Sequence, residues 1–306
     1  MRKIPEEKIA AARMAHVRAV LNYVQTRREA EQRELFQAVT AVCPCEYDFA
    51  ELRERDDWSW LEGFLTADVA TLRRLTREKP ETLQFDQFLK LYKNRFCNGA
   101  DIYVDEKTRY NAYTLCRNLG VTVCPYCDEE YLHVLEATGQ KPARTLELDH
   151  FFPKGRYPAL AMCFYNLVPS GQACNGIKKE QAIGMSPYEA DIEAYTRLCP
   201  DLPPGVNMES VPVEDCVIHF HPEGAMRENV ETLRLEERYL NHRGEAHRYL
   251  VLKQNFNEDK LQELVRMGVF PSLQQAREVL YGETAGTSTQ PLLQKLKHDI
   301  LDGNRM

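Results

Sequence analysis

The chain has 306 residues, of which 43% are hydrophobic and 28% are charged, and its formal net charge is −7 at pH 7. This length suffices for one large or two modest domains with a real core, while the acidic balance argues against a protein that coats nucleic acid over its whole surface. The sequence has no long apolar run, which argues against a membrane span, and the charged residues 1–8 argue against a signal peptide. The ten cysteines are therefore expected to be thiols in a reducing, cytoplasmic compartment.

Residues 1–120 are predicted to form a helical region. From Pro5 to Val39 the sequence consists of helix formers with almost no breaker, and the charged part of this stretch is expected to be a solvated helix face. Asp68 is suited to cap a further helix, and Asp105 to cap one that runs from Glu106 to Leu119.

Two cysteines, Cys124 and Cys127, come next in the order C-P-Y-C. A pair of thiols at this spacing is typical of zinc ligands. The sequence therefore places a candidate metal-binding knuckle at the end of the helical region.

Oxygen and imidazole donors follow this knuckle at short intervals. A short apolar run ends in Asp149 and His150, Asn166 opens a second such run, and Asn175 begins a segment rich in helix formers. Asp149 and Asn175 supply the hard oxygen donors that a divalent cation prefers, with positions left for water and phosphate. His150 has a side chain whose unperturbed pKa lies near neutrality, and it is suited to take a proton from an attacking water.

Basic side chains accompany these donors. Lys154, Lys178 and Lys179 are candidates to contact the phosphates of a nucleic acid. Between residues 141 and 180 six Lys or Arg stand against three acids. The segment is locally basic in an acidic chain, although an ordinary fluctuation of surface charge accounts for these counts equally well.

Three motifs together resemble the HNH, or ββα-metal, endonuclease family: D-H-F-F-P at Asp149–Pro153, Y-N-L at Tyr165–Leu167 and C-N-G-I-K at Cys174–Lys178. The resemblance implies a strand ending at Asp149 and His150, a second strand near Asn166 and a helix starting around Asn175. It also implies that the catalytic residues are His150, as general base, and Asn166, which steadies the loop behind it. Asp149 and Asn175 then hold a Mg²⁺ or Mn²⁺ ion.

More narrowly, the stretch from Asp149 to Ser170 resembles the nuclease subunits of Septu-type and retron-linked anti-phage systems, which work beside an ATPase partner. That family often has a second thiol pair, P-S-C-x-x-C-N, which completes a four-cysteine structural zinc site. Here Gly171 takes the first of those positions and Cys174 the second. Because a closed zinc site needs four ligands, either another residue supplies the fourth or the site has lost zinc. The candidates for that fourth ligand are His133, Cys163 and Cys199.

The remaining residues, 191–306, are predicted to hold short strands followed by helices. The linker-like stretch is Pro200, Pro203, Pro204 and Gly205, and the apolar residues from Val211 to Phe220 favour one or two strands. Further on, Asn257 and Gly268 bracket one helix, and Ser272 and Gly282 supply the start and the stop of another.

We therefore expect an α+β protein, mostly helical, with a ββα-metal nuclease module at residues 121–190 between the regions 1–120 and 191–306. The expected function is metal-dependent hydrolysis of phosphodiester bonds, in DNA, as the nuclease effector of an anti-phage system. The resemblance to Septu-type nuclease subunits implies an ATPase partner, and the chain has no Walker-type phosphate loop of its own. Two alternatives are a zinc-knuckle binding module that breaks no bond, for which Cys124 matters and His150 does not, and a nuclease directed at RNA or tRNA.

Overall fold

The computed structural model describes residues 1–97, 102–135, 143–189, 192–202, 205–282 and 291–301. Within these residues the protein is α+β and mostly helical, as predicted. The α-helices are α1 (Glu6–Gln25), α2 (Glu29–Val42), α3 (Phe49–Glu54), α4 (Ser59–Leu65), α5 (Val69–Glu78), α6 (Gln87–Leu91), α7 (Ala112–Leu119), α8 (Gln172–Lys178), α9 (Met226–Thr232), α10 (Leu235–Tyr239), α11 (Arg243–Asn255), α12 (Glu258–Arg266), α13 (Leu273–Tyr281) and α14 (Gln294–Leu301).

The strands of the described residues pair two by two, and every pair is antiparallel. The pairs are β1 (Val134–Leu135) with β2 (Ala143–Arg144), β3 (Leu146–His150) with β4 (Leu167–Gly171), and β5 (Thr196–Asp201) with β6 (Val217–Pro222). Such small sheets need helices against them to be stable. That cover comes from α7 at β1, from α8 at β3 and β4, and from α9, α10, α11 and α14 at β5 and β6. In the middle of the chain β3, β4 and α8 follow one another as strand, strand and helix.

The first helical stretch is broken where the sequence predicts continuity. The chain leaves α1 after Gln25 and enters α2 at Glu29. The cause is Gln32, a buried side chain whose amide donates hydrogen bonds to the carbonyl oxygens of Val24, Gln25 and Arg27 at 2.9 to 3.2 Å. Because these carbonyls find a side-chain partner at the end of α1, the chain can turn there. Of the charged stretch expected on a solvated helix face, Arg27 and Arg28 lie in this turn, whereas the residues from Glu29 onward belong to α2 and are mostly exposed there.

Helix caps are predicted well in some places and wrongly in one. Asp68 caps α5, since its side chain accepts a hydrogen bond from the backbone N–H of Thr71. Asp105 does not start a helix: it accepts hydrogen bonds from the N–H groups of Lys107 and Thr108 and so holds a turn. The helix α7 begins later and is capped by Asn111, whose amide oxygen satisfies the same kind of orphan donor.

The C-terminal region confirms its predicted helix boundaries and corrects its strands. Asn257 caps α12, and Ser272 and Gly282 bound α13, with Gly282 in the left-handed conformation at φ 65°. Pro200, predicted to lie in a linker, belongs to β5, whereas Pro203 and Pro204 lie outside the described residues. The strand β6 begins only at Val217, because the chain before it is coiled into short 3₁₀ turns.

One cluster of buried apolar residues extends through residues 1–120, 121–190 and 191–306 and includes Leu61, Phe151 and Leu235. Residues 190 and 191, at the predicted boundary between the second and third regions, lie outside the described part of the chain. No helix among the described residues is long and apolar enough to cross a lipid bilayer.

Asp128 links the two ends of the described chain to the C-P-Y-C knuckle. Its carboxylate is fully buried and pairs with the guanidinium of Arg2. The N–H of Lys295, at the start of α14, donates to the same carboxylate at 2.7 Å, and the N–H of Leu293 donates to the backbone carbonyl oxygen of Asp128 at 2.7 Å. A buried carboxylate is expensive unless it is paired and hydrogen-bonded, so these contacts hold the N-terminal segment, the knuckle and α14 together.

His16 is the fully buried titratable residue of α1. Its Nε2 lies 2.8 Å from the carbonyl oxygen of Met162, and its Nδ1 lies 3.2 Å from the hydroxyl of Tyr110. Because a carbonyl oxygen only accepts, Nε2 carries the proton and Nδ1 accepts from the tyrosine. Burial lowers the pKa of His16 from 6.5 to about 4, since it disfavours the charged form.

This shift predicts loss of stability in mild acid. Below pH 6.5 the unfolded chain binds a proton at residue 16, while the folded chain does so only near pH 4. The free energy of unfolding should therefore fall as pH falls through this interval, by at most about 3 kcal/mol from this residue. Urea unfolding of the wild type and of His16→Gln at pH 7.5 and at pH 4.5 measures the contribution. The decline should be smaller in the variant, and equal declines would contradict the assignment.

Candidate functional site

The strand, strand and helix that were predicted around the D-H and C-N motifs are present. The strand β3 ends at His150 and pairs with β4 so that Asp149 faces Val168 and His150 faces Leu167. The helix α8 starts directly after β4, three residues before Asn175. This short connection fixes α8 against the end of β3, so residues distant in sequence meet there.

An open cleft of about 300 Å³ lies at this junction. It is lined by Asp149, His150, Pro153, Lys154, Asn175, Gly176, Lys179 and Glu180. Of the predicted site residues, the structure thus brings together the two oxygen donors, the histidine and two of the three lysines. Glu180 is a lining residue that the sequence analysis missed, and its carboxylate accepts a hydrogen bond from the N–H of Gly155 at 3.3 Å.

The imidazole of His150 is arranged as a neutral base. Its Nε2 lies 3.1 Å from the carbonyl oxygen of Ala161, so Nε2 carries the hydrogen and Nδ1 keeps its lone pair. Nδ1 is buried and has no hydrogen-bond partner among the described residues. Burial, and after it the charge of Lys154, lowers the pKa of His150 from 6.5 to about 3. The ring therefore stays uncharged at neutral pH.

The ring of Tyr92 holds the imidazole from the side. The two ring centroids are 4.5 Å apart and the rings meet edge to face, which is a favourable geometry for aromatic groups. Tyr92 opens a π-helical turn that follows α6. A turn of this kind often occurs at functional sites, where it aims a side chain that an α-helix would direct elsewhere.

Asp149 is buried and has two fixed partners. Its Oδ2 accepts a hydrogen bond from the hydroxyl of Tyr126 at 2.8 Å, and its Oδ1 accepts one from the ammonium of Lys178 at 3.2 Å. Each carboxylate oxygen can accept twice, so a lone pair on each remains for a metal ion. Tyr126 stands between the two cysteines of the knuckle, and this contact joins the knuckle to the cleft.

Lys178 is not where the sequence prediction put it. The side chain is fully buried, and its ammonium contacts Asp149 and, at 2.8 Å, the carbonyl oxygen of His150. A buried and doubly bonded amine cannot reach a phosphate outside the protein, so Lys178 supports Asp149 instead of binding nucleic acid. Lys179, the next residue, is exposed and lines the cleft, and Lys154 is half-buried there.

Asn166 is fully buried behind His150 and does not line the cleft. Its amide oxygen accepts from the N–H of Phe152 at 2.6 Å, and its amide nitrogen donates to the carbonyl oxygens of Phe152 and Leu160 at 3.1 and 3.0 Å. These bonds fix both sides of the loop that carries Ala161, the partner of His150. Asn166 is thus a positioning residue for the loop, without contact to the cleft.

The sulfur atoms of Cys124, Cys127 and Cys174 form a buried cluster in which all lie within 4.8 Å of one another. The backbone N–H of Gly171 points at the sulfur of Cys124 at 3.2 Å, and the guanidinium of Arg238 donates to the sulfur of Cys174 at 3.2 Å. Burial raises the pKa of Cys124. A cluster of three thiols with cationic and N–H donors around it suits a soft cation such as zinc, which binds the deprotonated form.

The three residues considered as a fourth ligand do not join this cluster. Among the described residues no further His, Cys, Asp or Glu atom lies within 4.8 Å of all three sulfurs. Cys163 instead lies 3.5 Å from the carbonyl oxygen of Phe64, and the ring of His133 stacks on Tyr131. His133, Cys163 and Cys199 therefore do not lie in this cluster with the three sulfurs.

No family model matches the chain, and no curated protein or solved structure is significantly similar to it.

The contrast between Lys178 and Lys179 gives a matched pair of variants. Lys178→Met leaves the buried Asp149 without its charge partner and should lower the free energy of unfolding by about 3 kcal/mol or more. Lys179→Met changes an exposed side chain and should alter stability by about 0.5 kcal/mol or less. Urea denaturation of both proteins measures the difference. Equal stabilities would show that Lys178 is not held as described.

Proposed function

We propose that this protein is a metal-dependent endonuclease that hydrolyses phosphodiester bonds, with DNA as its substrate. The observation that carries the proposal is the cleft in which Asp149, Asn175 and His150 meet while Nδ1 of His150 has no other described partner. A hydrolase of this class needs oxygen ligands for a cation and a base for water, side by side. The resemblance of the motifs to HNH nucleases agrees with that chemistry.

His150 acts in this proposal as the general base. The carbonyl oxygen of Ala161 holds the proton of Nε2. The lone pair of Nδ1, which is buried here, is left to take the proton when a water molecule enters beside it and attacks phosphorus. The ring is neutral at pH 7, and the burial that keeps it neutral also makes it a weaker base than a free imidazole. Asn166 keeps the loop in place, and Tyr92 keeps the ring from turning.

Asp149 and Asn175 would hold the Mg²⁺ or Mn²⁺ ion. Such an ion prefers oxygen ligands. Asp149 offers carboxylate oxygens, which retain lone pairs beside their bonds to Tyr126 and Lys178, and Asn175 can present its amide oxygen. When bound, the ion supplies electrostatic stabilisation of the phosphate and of the departing 3′ oxygen. Tyr126 and Lys178 contribute by orienting the carboxylate through their hydrogen bonds.

Lys154 and Lys179 are the proposed phosphate contacts, since both line the cleft. They act within a chain whose net charge is −7. Affinity for nucleic acid depends mainly on neutralised phosphates, so the isolated protein should bind DNA weakly at cellular salt.

Replacement of the base gives the main test. His150→Ala should abolish divalent-dependent cleavage, because a positioned general base contributes roughly a hundredfold or more. The measurement is cleavage of labelled DNA with Mg²⁺ or Mn²⁺ and with a chelator. The control is His221→Ala, which alters an exposed histidine of β6. A folded His150→Ala protein that cleaves as fast as the control would contradict the proposal.

The same assay separates the alternatives. Faster cleavage of single-stranded RNA or of tRNA than of DNA would move the substrate class to RNA with the site unchanged. A protein that cleaves nothing, yet binds nucleic acid or another protein in a way that needs Cys124 and not His150, would be a binding module. Both outcomes reject the function as proposed here.

We also propose that the protein is the nuclease effector of an anti-phage system and works with an ATPase subunit. Two observations support this: the resemblance to Septu-type and retron-linked nuclease subunits, and the lack of a Walker-type loop in the sequence. A cytoplasmic nuclease without restraint would attack the host genome. The helices on both sides of the cleft provide surface on which a partner could act.

Co-expression with the neighbouring genes tests the partnership. The chain should elute with an ATPase in size-exclusion chromatography, and cleavage should depend on the complex and on ATP. A monomer that elutes alone and cleaves DNA as fast as the co-expressed mixture would contradict it.

A further inference from the structure

Gly171 stands next to the thiol cluster, and the space beside its backbone is filled by Glu130. A Cβ added at Gly171 would lie closest to Oε2 of Glu130, at about the length of a carbon–sulfur bond, and 3.0 Å from Oε1. The carboxylate therefore fills the space that a side chain at residue 171 would need. A cysteine cannot be accommodated there while Glu130 keeps its place.

The carboxylate of Glu130 is anchored at one oxygen and open at the other. The N–H of Gln172 donates to Oε1 at 3.1 Å, and the backbone of Glu130 accepts from the N–H of Cys124 at 2.9 Å. Oε2 is buried and has no hydrogen-bond partner among the described residues. A buried carboxylate oxygen without a partner is costly, unless a ligand binds it.

We propose that Glu130 supplies the fourth ligand of a zinc site formed with Cys124, Cys127 and Cys174. Zinc accepts a carboxylate oxygen beside thiolates, and a structural site needs four ligands. Gly171 is then the residue that makes room for the glutamate. The proposal does not rest on the nuclease function.

Two features describe how the ligand would be held. The carboxylate lies outside the group of atoms that are within 4.8 Å of one another, so ligation requires the side chain to turn toward the sulfurs. Three thiolates and one carboxylate around Zn²⁺ carry a net charge of about −2. Arg238 offsets part of this charge through its hydrogen bond to Cys174, and the N–H of Gly171 points at Cys124.

Metal binding by the full chain tests the proposal. The apoprotein is titrated with Zn²⁺ against a competing chelator, and with Co²⁺ as a spectroscopic probe. Glu130→Gln should bind either metal at least about tenfold more weakly, with a changed Co²⁺ d–d spectrum and unchanged thiolate charge transfer. The matched control is Glu129→Gln, since that neighbour pairs with Arg238 and His242 and has the same charge.

A double variant tests the position itself. Glu130→Ala with Gly171→Cys should recover tight binding and show the stronger charge transfer of four thiolates. Equal affinity of wild type and Glu130→Gln, an equal loss in Glu129→Gln, or no metal binding by any of these proteins would overturn the proposal. None of these readouts uses cleavage, so failure of the nuclease proposal would be seen separately.

Discussion

The carboxylate of Asp149 is the point on which the candidate site depends. It accepts one hydrogen bond from the hydroxyl of Tyr126 in the knuckle and another from the ammonium of Lys178 in α8. Knuckle, strand and helix are thereby held to one another by a single buried charge. Because a buried charge tolerates few arrangements, the relative position of these three elements is narrowly fixed. The thiol cluster matters here because Tyr126 lies between two of its cysteines. The position of the cluster therefore affects the orientation of Asp149, the proposed cation ligand.

The orientation of His150 depends on a second chain of contacts. Asn166 fixes the loop at Phe152 and Leu160, the loop presents the carbonyl of Ala161, and that carbonyl decides which ring nitrogen carries the proton. A residue that never reaches the cleft therefore selects the tautomer of the residue that does. Burial then keeps the ring neutral, so the same packing provides both the orientation and the protonation state of the base.

The sequence predicts the structure best where neighbouring residues determine it. The D-H strand end, the following strand and the start of α8 could be predicted, as could caps such as Asp68 and Ser272, because each rests on neighbouring residues. The sequence predicts the structure less well where contacts between distant residues determine it. The break after α1 depends on a buried glutamine, and the burial of Lys178 depends on where α8 lies against β3. Only in the folded chain does Arg238 contact Cys174 and does Glu130 lie beside Gly171. No local pattern marks those contacts.

The bonds from α14 to Asp128 have a consequence for the order in which the molecule is made. Lys295 is synthesised 167 residues after the aspartate that it contacts. On the ribosome, the knuckle and the cleft emerge long before Leu293 and Lys295 are added to the chain. Until then Asp128 lacks the hydrogen bonds from these two residues. The candidate site thus reaches its final form only after α14 has been translated. A chain that stops short of α14 would carry every residue of the cleft and still lack the contact that secures its knuckle.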